Sequence, residues 1–174
     1  FPLVIAASAS VKSNDLKGFL DEARQQPAKF SYASTGLGSM NHLVMEDIKR
    51  RAKVDVLHVP YGGGGPAVQA VLGDTSQITL LSYAALRAQI QAGKVKALAV
   101  TGNKRLPDLP NVPTVAESGF PGFEAYSWIG IFAPSATPAP VVAKLTEDFK
   151  ATLNNPEVHG KLTAGGFEVM ATDG

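Results

Sequence analysis

Apolar positions along this chain fall in short unbroken blocks that alternate with stretches of helical period. Leu3 to Ala7 is a continuous apolar run of strand length, the pattern of a buried strand. Leu16, Phe19, Leu20 and Ala23 then recur at helical spacing, with Ser13 expected as cap, Asp15 in the first turn and Pro27 beyond the end. Phe30 to Ala33 reads as a second strand. Ser39 to Arg51 reads as a helix with Met40, Leu43, Val44 and Ile48 on one face. Val54 to Val59 is a third strand and runs into Pro60-Tyr61-Gly62-Gly63-Gly64-Gly65-Pro66, where Pro66 suits the first turn of a helix over Ala67–Leu72. After the turn at Gly73-Asp74, the pattern gives a strand over Gln77–Leu81, a helix over Ala84–Ala92 closed by Gly93, and a strand over Val95–Val100. Gly102 to Gly122 is proline-rich loop with a short helix expected near Thr114–Ser118. Trp128 to Ala133 is strand-like. Pro138 opens a long helix with Val141, Val142, Leu145, Phe149 and Leu153 on one side. Asn155-Pro156-Glu157 supplies cap, first helical position and favourable dipole charge for a short last helix, and Phe167 to Met170 completes the list as a strand.

Strand and helix alternate through most of the chain, which implies an α/β layer fold with a parallel or mixed sheet. Ligands of such sheets bind in the loops beyond the strand carboxyl ends. Both glycine-rich loops, Ser34–Ser39 and Pro60–Pro66, directly follow strands. The chain has 174 residues, room for one domain or one and a half. Hydrophobic residues make up 45%, enough for a real core, and net charge is +1 with basic residues scattered, which argues against a nucleic-acid stripe. Apolar runs are too short to span a bilayer as a helix. The absence of cysteine excludes disulfide and thiolate chemistry. The sequence opens directly in an apolar run and stops at Met170-Ala171-Thr172-Asp173-Gly174 without a closing element, so it reads as a piece of a longer protein.

The segment Tyr32 to His42 carries the most chemical information. A chain entering a helix there aims free backbone N–H groups, at the positive end of the helix dipole, toward one point, which suits a carboxylate or phosphate. The bland alternative is a glycine turn joining strand to helix. The loop has neither the Gly-Lys-Ser/Thr ending of a Walker loop nor the third glycine of the dinucleotide fingerprint. The second glycine loop reads equally as another wall of the same pocket or as a mobile connection, with Tyr61 bonding a ligand or packing. His42 and Glu46, four apart on one helix face, are a conceivable metal pair, yet His58 and His159 lie far off in sequence, and His42 is expected to hydrogen-bond locally; no metal is expected. No Gly-x-Ser-x-Gly elbow and no paired carboxylates occur, so no catalytic residue is assigned. Lys104-Arg105 is read as a solvated basic pair and Trp128 as core or hinge.

Taken together, FSYASTGLGSMNHL, VDVLHVPYGGGGPAVQAVLGD, IQAGKVKALAVTGNKRLPDLPNVPTVAESGFPGFEAYSWIGIFAPSATPAPVV and NNPEV resemble the extracytoplasmic substrate-binding receptors of tripartite tricarboxylate transporters, called TctC or Bug receptors. The resemblance covers essentially the whole chain and is most specific over Ala97–Pro138. It implies a type II periplasmic-binding-protein fold, two α/β lobes around a cleft. Residues 1–126 would form the second lobe, with a mixed, mostly parallel sheet, and 127–174 would return to an incomplete first lobe. It further implies a periplasmic receptor that captures a small organic anion, often a di- or tricarboxylate, needs no cofactor, catalyses nothing and hands its ligand to membrane transporter subunits. The family's binding loops match at Ser34, Gly36, Gly38, Ser39 and His42, then at Pro60 and Tyr61. Gly62 stands where a lysine or similar residue is common, and Leu81-Ser82 where many members carry an aspartate, which shifts the expectation from amino acids toward plain carboxylic acids. The ligand set expected is therefore Ser34, Thr35, Gly36, Gly38, Ser39, His42, Tyr61, Gly62 and Ser82. A sensor lobe feeding a membrane kinase is the alternative, and a small hydrolase or lyase a third. With half of the cleft missing, the isolated chain is expected to expose apolar surface and self-associate.

Overall fold

The computed structural model describes residues 1–164 and 167–172. They group into two compact units, one of Pro2–Ser127 and one of Trp128–Gly174 together with Phe1.

The first unit is built on five strands, β1 (Leu3–Ser8), β2 (Ser31–Ser34), β3 (Leu57–Pro60), β4 (Ile78–Ser82) and β5 (Val95–Val100), in the spatial order β3-β2-β4-β1-β5. β2 runs parallel to β3 and to β4, whereas β1 runs antiparallel to β4 and β5. Four strands thus share one direction, and β1 inserts against them, so the sheet is mixed. β1 is buried along its whole length, which accounts for its unbroken apolar sequence. Helices α1 (Leu16–Gln25), α2 (Met40–Ala52), α3 (Gly64–Leu72) and α4 (Tyr83–Gln91) connect these strands.

Helix boundaries depart from the sequence pattern where polar side chains decide them. Asp15, not Ser13, caps α1 by accepting the Gly18 N–H at 2.7 Å, and the Ser13 hydroxyl instead donates to Glu22. A carboxylate at that position gains from the helix dipole as well as from the bond. The inward face of α1 is Leu16, Phe19, Leu20 and Ala23, as the periodicity implies. In α2 the buried positions are Asn41, Val44, Met45, Ile48 and Ala52, while Leu43 is 56% exposed and Met40 only half-buried. α3 starts at Gly64 rather than Ala67, so Pro66 sits within its first turn, where an N–H has no helical partner to lose.

Thr114 to Ser118 forms a turn, not a helix. It carries a reciprocal cap, with Thr114 N–H to Glu117 Oε2 at 2.7 Å and Glu117 N–H to Thr114 Oγ1 at 3.0 Å. Gly119 follows at φ +106° and Pro121 two residues later, so nothing propagates beyond one turn.

The second unit holds α5 (Ala139–Asn154) and α6 (Pro156–Ala164), neither with a buried residue. Asn155 Oδ1 caps α6, accepting the N–H groups of Glu157 and Val158 at 2.9 and 3.3 Å. The strand expected over Trp128–Ala133 is absent. This stretch pairs with no strand among the described residues, and Trp128, Ile129, Ile131 and Phe132 are 66 to 79% exposed. Trp128 is therefore not a core residue. Phe167 to Met170 also forms no strand; Phe167 packs edge-on against Phe1 with ring centroids 4.8 Å apart.

Candidate functional site

Parallel pairing of β2 with β3 and β4 brings three strand ends to one edge of the sheet. Ser34 lies opposite Pro60, and Ala33 opposite Thr79, three residues before Ser82. Three helices begin at that edge, α2 capped by Ser39, α3 by Gly63 and α4 by Ser82. The loops that feed them lie close together. A Cβ on Gly36 would stand 3.9 Å from the Tyr61 carbonyl oxygen, and one on Gly64 3.8 Å from Leu81 Cδ2. Buried Asn41 fixes α2 to the strand beside it, its Nδ2 donating to the Leu80 carbonyl.

Within the first loop most of the expected groups are bound to one another. Ser39 Oγ accepts the His42 N–H at 3.3 Å and donates to the Gly36 carbonyl at 2.7 Å. Thr35 Oγ1 donates to Asn41 Oδ1 at 2.7 Å. Ser34 Oγ accepts the Gly36 N–H at 3.1 Å, and the Gly38 N–H is taken by His42 Nδ1 at 3.1 Å. His42 thus bonds locally, as its place in the first turn implies. Gly36 and Gly38 hold φ +130° and +74°, the backbone that lets the loop close on itself. Among the described residues the N–H groups of Leu37, Met40, Asn41 and Gly62 to Gly65 have no hydrogen-bond partner. The free donors therefore sit at the tips of α2 and α3, next to the positions the motif singles out. Tyr61 donates its N–H to the Ser34 carbonyl at 3.0 Å, and its side chain is half-buried against the core. Ser82 Oγ accepts the Ala85 N–H at 3.4 Å as the cap of α4.

Behind the loop lies a polar cluster that sequence spacing did not reveal. Tyr32 and His58 face each other across the β2–β3 register and stack at 4.8 Å, and His58 stacks in turn on His42 at 4.1 Å with 16° between the rings. The Tyr32 hydroxyl donates to Glu46 Oε1 at 2.6 Å, which Lys49 Nζ also meets at 2.7 Å. His42, Glu46 and Lys49 recur at i, i+4 and i+7, so the His42–Glu46 face of α2 extends to Lys49 as a polar stripe. Burial, and then Glu46, holds the Tyr32 hydroxyl protonated well above its ordinary value. Burial pushes the Glu46 carboxyl up, but its bonds from Lys49 and Tyr32 outweigh that and keep it ionised. Burial, the His42 ring and the Lys49 ammonium hold His58 below the usual histidine value.

His58 Nε2 also meets Ser34 Oγ at 2.6 Å, a serine–histidine contact that the sequence did not bring together. Ser34 has no accessible surface and already receives the Gly36 amide, so its oxygen is out of reach of a substrate carbonyl. Among the described residues no group of three or more His, Cys, Asp or Glu is placed to hold a metal ion. Arg105 of the basic pair is bound to Glu117 at 3.0 Å. Hollows of about 230 Å³ lie elsewhere on this unit, one between the outer face of α2 and Phe123, the other beside Phe30 and Asp74.

Residues 1–174 match the family model described as tripartite tricarboxylate transporter family receptor (TctC). A curated relative, the UPF0065 protein in the tcbD-tcbE intergenic region of Pseudomonas sp. (strain P51), is 40% identical over 98% of this chain and 53% of its own length. The chain spans about half the length of the curated relatives it matches. Three solved structures are similar: periplasmic binding protein BugD (36% identity, TM-score 0.91, 98% of this chain and 57% of that one), MatC (Rpa3494) from Rhodopseudomonas palustris with bound malate (33%, 0.90, 97% and 57%), and R. palustris Rpa4515 with adipate (32%, 0.88, 95% and 55%).

Proposed function

This chain belongs to the tripartite tricarboxylate transporter receptor family, and from that premise we propose that it carries one wall of a periplasmic receptor's ligand cleft and binds a small organic dicarboxylate. The observation that carries this reading is the meeting of three helix N-termini at one sheet edge, with unbonded amides at the tips of α2 and α3. Aligned peptide dipoles place partial positive charge there, and N–H donors to an ionised carboxylate make short, strong bonds. No Lys or Arg occurs in the three loops that form this edge, residues 34–39, 60–63 and 82, so the anion would be held by neutral donors with bridging water. Malate and adipate in similar structures share two carboxylates and differ in chain length, which supports a class rather than a single compound.

In this reading Ser34, Thr35, Gly36, Gly38, Ser39 and His42 shape the first loop, while Tyr61, Gly62 and Ser82 border it. Residues 1–126 form the second lobe of the receptor. Residues 127–174 return to the first lobe, which grips the other end of the ligand. Closure of the two lobes removes water from the anion and strengthens its hydrogen bonds. The receptor then delivers its ligand to membrane transporter subunits and performs no catalysis. The family match and the similarity to a periplasmic binding protein support both the location and the partnership.

Gly64 provides a direct test. It is the first residue of α3, a position that accepts proline, and a Cβ there meets only Leu81 at ordinary contact distance. Gly64→Pro in the full-length protein removes one free amide without breaking the helix. Calorimetry with malate, adipate and succinate should show binding in the parent and a loss of roughly tenfold in Gly64→Pro, the worth of one charge-assisted bond. Gly64→Ala, which keeps the amide, should bind more tightly than Gly64→Pro. Equal dicarboxylate affinity in parent and proline variant would remove the α3 terminus from the site.

A further inference from the structure

His42 and His58 reach opposite ends of one loop from two different elements. His42 Nδ1 accepts the Gly38 N–H at 3.1 Å, so that nitrogen carries no proton in this arrangement. His58 Nε2 lies 2.6 Å from Ser34 Oγ, the atom that receives the Gly36 N–H at 3.1 Å. The two rings stack at 4.1 Å, nearly parallel. The glycines they govern have positive φ and no side chain to hold them. Two imidazoles thus tie the loop at both ends, beside the bonds made by Thr35 and Ser39.

A proton on His42 Nδ1 would place a donor against the Gly38 donor and break that bond. A second proton on His58 would set two cations face to face within van der Waals contact of each other. Of the charged and titratable groups around the pair, Glu46 favours a proton on His58, whereas burial and Lys49 oppose it. Glu46, on α2, is already committed to Lys49 at 2.7 Å and to the Tyr32 hydroxyl at 2.6 Å. Lys49, also on α2, adds positive charge, and Tyr32, on β2, stays neutral.

We infer that the neutral His42–His58 pair positions the loop, and that proton uptake by the pair releases the Gly38 amide. His42 and His58 act here through the loop, as positioning residues.

The test uses the full-length protein and two readouts. Without ligand, imidazole nitrogen spectra at about pH 7.5 should show the His42 proton on Nε2, with Nδ1 as acceptor. Hydrogen exchange should show protection of the Gly38 amide, corrected for intrinsic exchange, falling roughly tenfold between about pH 7.5 and about pH 5. His42→Asn keeps an acceptor near Nδ1 but cannot titrate, and should flatten that change. A pH-independent Gly38 protection factor, or a His42→Asn profile that matches the parent, overturns the inference even where malate binds at the loop. Malate that leaves the amide signals of residues 34–42 and 61–65 unmoved at both pH values instead sinks the dicarboxylate reading, while loop coupling to the histidines stands or falls on the exchange data.

Discussion

Gly36 and Gly38 carry the loop through two different unusual backbones, and the difference has a measurable consequence. Gly38 at φ +74° lies near the left-handed region, and a Cβ there meets nothing within 4 Å. Gly38→Ala should therefore cost about 1 kcal/mol in denaturant unfolding, the backbone penalty alone. Gly36 at φ +130° is outside the left-handed well, so Gly36→Ala should cost more, about 2–3 kcal/mol. Equal losses would mean the loop relaxes at both sites. Far from this edge, Asp74 accepts the hydroxyls of Ser10 and Ser8 at 2.6 Å each, and those bonds hold its carboxyl below the ordinary value. Its folded state thus favours the ionised form. The stabilisation is complete above the ordinary aspartate range and disappears as pH falls through the depressed value. Asp74 sits at φ +58°, a backbone asparagine also accepts. Asp74→Asn should therefore lose stability less steeply on acidification below about pH 4 than the parent in parallel urea melts.

Helix α2 shows where periodicity succeeds and where it misleads. α1 faces the core with the four residues its spacing names. α2 instead turns Leu43 outward and Met45 inward, because its register is set by polar anchors as well as apolar burial. Asn41 binds Thr35 on one side and the Leu80 carbonyl on the other. Truncation to Asn41→Ala leaves a buried carbonyl and a hydroxyl without partners and should destabilise the protein by about 2–3 kcal/mol. A loss below about 0.5 kcal/mol would show that water replaces the amide and that α2 is held by packing alone. The serine–histidine and histidine–histidine contacts were equally invisible in the sequence. They depend on β2 and β3 pairing in parallel with Tyr32 opposite His58, a register no local spacing encodes.

At the level of the molecule, the second unit displays apolar side chains without burying them. Val141, Val142, Leu145 and Phe149 lie 39 to 47% exposed on α5, and Ile129, Ile131 and Phe132 more so. Exposed apolar side chains in this number favour contact with another surface. The 174-residue chain alone is therefore expected to self-associate in sedimentation velocity, and Leu145→Glu with Phe149→Glu should shift it toward monomer. A parent chain that sediments as one monomer at high concentration would contradict this. The strand expected over Trp128–Ala133 fails for the same reason. An extended apolar segment becomes a strand only when a neighbour supplies its hydrogen-bond partners, and none of the described residues does.

Sequence alone determined the alternation of strands and helices, the apolar face of α1, the placing of both glycine loops after strands, and the family, because these follow from local periodicity, turn chemistry and long motifs. Tertiary structure alone decided which amides stay free. The hydroxyls and glycine amides of the first loop satisfy one another, and two histidines from separate elements close it, leaving the donors of Leu37, Met40, Asn41 and Gly62 to Gly65 at the edge. Hydrogen bonds between residues distant in sequence consume donors that local spacing counts as available, so a motif can point to an anion site without saying which of its atoms are left to bind the anion.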